Sequence, residues 1–319
     1  MILDDTLRAA GPTSGPAARD SIGGLIAKRK LADGVAGAVL FACAMSSIAI
    51  TGGIVAILCL ESSTFFEHVS LVDFFTDTIW APQDPDRPRS GILPLLSGTL
   101  VTTAVALSIA LPIGTIVAIY LSEFAPSSVR EVIKPLLELL SAVPTIVYGF
   151  FAMEFATPLL QKIVPGLPSF NMLGAGIVMG IMIIPYVSSL SEDAMRAVPM
   201  LLREGSYGMG ANKLQTALHI VFPAALSGIA SAYVLGISRA IGETMIVAVS
   251  AGMMPNLTLD PRQPAATITA YIVQIAGGDA ERGSLGYQSI FAAGLTLFGL
   301  TLVLNIVGYY LRKRYRQAY

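Results

Sequence analysis

Two ionisable side chains, Arg239 and Glu243, stand four residues apart inside the apolar stretch 224–252. That spacing predicts one face of one helix. An unpaired arginine at mid-bilayer costs from about 3 to more than 10 kcal/mol, so Arg239 must face protein or water and find a counter-charge, with Glu243 in reach. Either the pair neutralises itself and locks helix packing, or Arg239 lines a pathway and meets an oxyanion with its planar fork. In the second reading Glu243 balances the arginine when no anion is present. Other chemistry-bearing groups are few. Cys43 and Cys59 are sixteen residues, about 24 Å, apart along one helix, too far for a disulfide. His68 and His219 fall on opposite sides of the membrane by the topology below and cannot share a metal. No Gly-x-x-x-x-Gly-Lys-Ser/Thr loop, His-Glu-x-x-His or Cys-x-x-Cys occurs. The chain therefore offers no ATP or metal site of its own, and no base for a serine nucleophile within the bilayer.

The elements that must position these residues follow from composition. The 319 residues are 54% hydrophobic and 13% charged, with mean hydropathy +0.70, against roughly 25% charged in soluble chains. A soluble domain cannot hide that much apolar surface, and a disordered chain would be poor in it. A net charge of −1 gives no reason to expect nucleic acid as a partner; membrane lipid is the expected surrounding.

Six spans are predicted, at 35–60, 91–121, 136–160, 170–191, 224–252 and 286–311. The second is longer than a bilayer core needs, so tilt, a kink near Pro112 or a protruding end is expected. The third carries Glu138, Pro144 and Glu154. Glu154 reads as hydrated near the outer end, and Lys134 with Glu138 as a surface pair. Gly176 and Gly180 have the spacing of close helix packing. Fourteen Lys and Arg fall on the side of the termini and the second and fourth connections, five on the other. Both termini are therefore expected in the cytoplasm. Because 34 residues precede the first apolar stretch, it does not read as a cleavable signal; residues 1–34 read as a flexible tail.

The fourth connection, 192–223, is the most structured of the polar segments. Pro199 suits a helix start, Gly208 and Gly210 permit a turn, and Leu214, Leu218 and Val221 form an apolar stripe at helical spacing. Periodicity leaves two readings open, a docking helix for a cytosolic partner or a helix lying on lipid. The outer loop 61–90 holds six acids against Arg87 and Arg89, a net −4. Such a field repels a dianion, so substrate is expected to arrive enclosed in a binding protein.

With these residues in place the chain resembles the permease subunits of ABC importers. Glu204, Gly210, Ile220 and Pro223 match that family's Glu-Ala-Ala…Gly…Ile-x-Leu-Pro signature. Gly205 and Ser206 replace the alanines, Tyr207 follows them, and Phe222 replaces the leucine. The stretches 98–103, 118–126, 138–149, 181–185, 204–210 and 239–244 resemble the phosphate-specific branch, in family order across about 35–315. The outer loop and the length resemble the PstC type more than its PstA-type sister.

The resemblance implies an all-α polytopic membrane protein of the type I ABC importer permease architecture. It also implies half of a phosphate translocation pathway, with Arg239, Glu243 and Thr244 on that pathway. Glu204, Gly205, Ser206, Tyr207, Gly210, Ile220 and Pro223 would form the loop that couples to an ATPase. Implied partners are a PstA-like second permease, two copies of a PstB-like ATP-binding subunit holding ATP and Mg²⁺, and a PstS-like extracytoplasmic phosphate-binding protein. This chain would itself bind no cofactor and would not be the catalyst. The alternatives are a permease for another oxyanion or small solute, and a stand-alone secondary transporter, which would not need Glu204…Gly210…Pro223 at a re-entry into the membrane.

Overall fold

The computed structural model describes residues 16–84, 86–278, 281 and 283–315. The chain divides after Ile57 into an N-terminal unit and a larger unit from Leu58 onward. The first unit holds most of helix α1 (Pro16–His68). Residues 35–60 carry no charge on any side, the pattern of a spanning helix. Of the segment 1–34 expected as a flexible tail, residues 1–15 lie outside the described residues, and from Pro16 onward the backbone is helical.

In the larger unit, α2 (Leu71–Thr76) and a short antiparallel pair, β1 (Trp80–Ala81) with β2 (Arg89–Ser90), form the outer loop. Helix α3 (Leu93–Ile119) follows and runs on through a π turn to Phe124, passing Pro112 without ending. Most of its hydroxyls are satisfied within the helix, whereas the buried Thr103 Oγ1 has no partner among the described residues. Thr99, Thr102 and Thr115 each donate to the carbonyl four residues back, at 2.7, 2.7 and 2.6 Å. Helix α7 (Met172–Arg196) packs against it. Added Cβ atoms at Gly176 and Gly180 would come within 2.7 Å of Val105 Cβ and the Ala106 carbonyl oxygen, so these glycines allow the approach as expected. Buried Asn171 caps α7, its Oδ1 accepting from Gly174 N–H at 2.6 Å. The central core, with Ala106, Val178, Met182, Ile183 and Ile246 among its members, lies among α3, α7 and the segments that follow.

Two expected spans are bent. Between α4 (Ser127–Ala142) and α5 (Thr145–Phe151) the chain turns by 87° at Val143–Pro144, where proline disfavours helix in the residue before it. A π turn carries α5 into α6 (Thr157–Ile163). Helix α8 (Met200–Gly208) precedes α9 (Lys213–Thr216), a π turn over Ala217–Val221 and α10 (Phe222–Ala224), before a 72° bend into α11 (Leu226–Ile241). The continuous span over 224–252 is corrected: α11 stops at Ile241, and Gly242–Thr244 lead into α12 (Met245–Ser250). Helices α13 (Ile268–Ala276) and α14 (Leu285–Tyr315) complete the chain. Among the described residues four helices are long and apolar enough to cross a membrane, six if each bent pair counts as one span.

Candidate functional site

The connection between α7 and α11 is a helix–turn–helix with both ends chemically specified. Helix α8 is closed by Gly210, two residues past its end, at φ +86°. Gly210 N–H donates to the Tyr207 carbonyl at 2.9 Å and Ala211 N–H to the Ser206 carbonyl at 3.1 Å. This is the Schellman closure, which places glycine in the left-handed region. Asn212 then starts α9 with a reciprocal capping box, Asn212 Oδ1 accepting from Gln215 N–H and Gln215 Oε1 from Asn212 N–H, both at 2.9 Å. Ser206 and Thr216 hydroxyls, 2.9 Å apart, tie the two halves together.

Glu204, Gly205, Tyr207 and Gly210 are exposed, and Ile220 is half-buried. Met209 is 90% exposed and Leu201 78%. Beside the turn, Ser206, Met209, Gln215, His219 and Ile220 line an open groove of about 430 Å³. The expected apolar stripe is corrected: Leu214 and Leu218 are exposed, but Val221 is fully buried. The π turn over Ala217–Val221 supplies the reason, since its wider winding shifts the phase of the residues that follow.

Arg239 occupies the last turn of α11, where the negative end of the helix dipole favours a cation. It is half-buried, its Cζ lies 5.0 Å from the Tyr186 ring centroid, and its buried Nε has no hydrogen-bond partner among the described residues. The expected Arg239–Glu243 pair on one helix face is corrected. Among the described residues no carboxylate lies within salt-bridge distance of Arg239. The helix ends between the two residues, so they do not share its face. Glu243 is 7% exposed and turns toward the start of α12, its Oε1 accepting from Ile246 N–H at 3.4 Å, while its backbone carbonyl accepts from Thr269 Oγ1 at 2.7 Å. Thr244 is half-buried beside it. The arginine is thus held by a π face and a helix end, leaving the guanidinium edge free of an anionic partner.

Residues 110–317 match the family model described as "Binding-protein-dependent transport system inner membrane component". The chain belongs to this family. It is 33% identical to the probable ABC transporter permease protein YqgH of Bacillus subtilis, over 86% of this chain and 89% of that protein. It is 31% identical to the phosphate transport system permease protein PstC of Mesorhizobium japonicum, over 94% and 95%. In fold it resembles a chain of the MetNI methionine ABC transporter in its inward-facing conformations (TM-score 0.54, 16% identity, 71% and 95% covered). It also resembles a chain of the bacterial alginate ABC transporter in complex with a pentasaccharide-bound periplasmic protein (TM-score 0.61, 14% identity, 86% and 94% covered).

Three features of this permease escape its sequence. Arg203, 8% exposed, donates from Nε and Nη2 to Glu123 at 3.2 and 2.8 Å, and from Nη1 and Nη2 to the Val198 and Met195 carbonyls at 2.6 and 2.9 Å. It nails α8 to the end of α3. Lys134, expected to pair with Glu138, instead bridges Glu192 at 2.7 Å and Asp193 at 2.5 Å on α7, because the bend after Ala142 lays α4 alongside that helix end. Tyr186 beneath Arg239 gave only a weak signal, an aromatic immediately after Pro185 inside a span. Glu154 is exposed on the surface of the chain.

Proposed function

We propose that this permease forms half of the membrane pathway of an ATP-driven inorganic phosphate importer. The likeness to PstC permeases over nearly the whole chain supports phosphate as cargo. The single observation that carries the pathway role is the half-buried Arg239, which has no carboxylate partner among the described residues and is braced on Tyr186. A guanidinium held this way can take a phosphate oxygen edge in bidentate fashion without first breaking an ion pair. Thr244 and Glu243 then flank the path, Glu243 acting as a nearby negative charge that discourages permanent occupancy.

The α8–α9 turn lies on the cytoplasmic side in this reading, with both chain termini. It receives the movement of the ATP-binding subunits through exposed Glu204, Tyr207 and Met209. A second permease completes the pathway, two ATP-binding subunits hold ATP and Mg²⁺, and an extracytoplasmic protein delivers phosphate past the acidic outer loop. Hydrolysis belongs to the partner, and this chain contributes the gate. Reconstitution tests the assignment: phosphate uptake should require ATP and all four components. Uptake by this chain alone, driven by an ion gradient, would show a secondary transporter instead.

A further inference from the structure

A cavity of about 490 Å³ opens where the α3 end, α4, the α7 end and the α8–α9 turn meet; Glu123, Arg130, Arg196, Arg203, Tyr207 and Lys213 contribute to its lining. Its volume lies within the range of small-ligand sites. Its floor is rigid. Arg203 and Glu123 have side chains 10% and 4% exposed, and the arginine spends four hydrogen bonds on Glu123 and two backbone carbonyls. That ion pair is internally neutral and has little left to give a ligand.

The rim differs. Arg130 and Lys213 have no carboxylate within salt-bridge distance among the described residues. Arg196 has only Glu192 at 3.7 Å, and Glu192 is already held by Lys134 at 2.7 Å. Three cations from three different elements, beside the Tyr207 ring and its hydroxyl, therefore face one cavity with weak compensation. Like charges gathered around a concave site focus a positive potential and draw an anion. Arginine forks select phosphate oxygens over a simple point charge.

We propose that this cavity is a binding site for a phosphate group, held by Arg130, Arg196 and Lys213 and walled by Tyr207. It shares no residue with the Arg239 site. Two sources present the same chemistry, free inorganic phosphate and the headgroup of an anionic phospholipid, since basic pockets between helices at a membrane face take such headgroups. In either case the bound group joins the α8–α9 turn to α4 and the end of α7, so occupancy stiffens the segment assigned to coupling. The site itself does not depend on that assignment.

The test uses the full chain carrying Arg239→Gln, so that the pathway arginine contributes no binding. In nanodiscs of neutral phosphatidylcholine, labelled inorganic phosphate should bind saturably, and adding R130Q, R196Q and K213Q together should weaken it by about tenfold or more. Alternatively, phosphate fails to bind there but phosphatidylglycerol co-purifies with Arg239→Gln and is lost with the three charges, which assigns the site to lipid. K213Q alone, at an exposed position, should shift the same readout in the same direction without a folding defect. R312Q with K313Q, at another basic cluster, should leave it unchanged. Neither ligand binding, binding indifferent to the three charges, or a triple variant whose sole defect is lost contact with the ATP-binding subunit would each overturn the proposal. Normal uptake by Arg239→Gln would refute the pathway role while leaving this binding result intact.

Discussion

Arg203 and Glu123 lie far apart in the chain and meet as a buried, two-point ion pair, with Nε–Oε2 at 3.2 Å and Nη2–Oε1 at 2.8 Å. Because Arg203 also binds the Met195 and Val198 carbonyls, it fixes the start of the α8–α9 turn to two long helices at once. The residue that precedes the exposed Glu204 therefore ties the α8–α9 connection to the ends of both helices.

Removing one member of a buried pair strands the other, at a cost of about 3–5 kcal/mol. Arg203→Met or Glu123→Gln should each lower the thermal unfolding transition of the purified permease markedly. Glu123→Gln with Arg203→Met should lose less than the sum of the single losses, because contacting sites couple. Additive losses would contradict direct pairing.

Gly205 and Gly210 look alike in sequence and should behave oppositely. Both have open space where a Cβ would stand, but only Gly210 has φ in the left-handed region, at +86°. Gly205→Ala, inside exposed α8, should stabilise the helix by about 0.5–1 kcal/mol. Gly210→Ala should cost roughly 1–2 kcal/mol and loosen the turn. Protease sensitivity of the connection in the two variants reads the difference; equal sensitivity would refute it.

In the outer loop, Arg89 donates to Asp77 from Nε at 2.8 Å and Nη2 at 2.5 Å. The Arg89 side-chain hydrogen bond is the largest cause holding the Asp77 carboxyl below its usual range. A depressed carboxylate stabilises the fold above its unfolded pKa, near 3.8, and that contribution fades as pH falls through the lower folded value. The β1–β2 loop should hold at neutral pH and loosen only in strong acid, as followed by Trp80 fluorescence. Asp77→Asn should abolish that acid dependence.

Much of this was legible in the sequence because it depends on local chemistry. Charge-free 35–60 gives α1, Gly176 and Gly180 give the α3–α7 contact, and Gly210 gives the turn. What failed depended on contacts between distant segments or on backbone winding. Nothing near Lys134 reveals that α4 bends toward Glu192, and nothing near Arg203 names Glu123. The Arg239–Glu243 spacing suggested a pair because a continuous helix was assumed; a break at Gly242–Thr244 sends the two charges to separate helix ends. The π turn that buries Val221 likewise breaks the regular periodicity on which the stripe rested.

Whether phosphate transport needs Arg239 decides the pathway role proposed for it. ATP-dependent phosphate uptake by the reconstituted four-component transporter, comparing the native chain with Arg239→Gln, measures it most directly when subunit assembly is followed alongside. Uptake should fall to the level without ATP while the complex assembles normally. Native uptake by an assembled Arg239→Gln transporter would contradict that role.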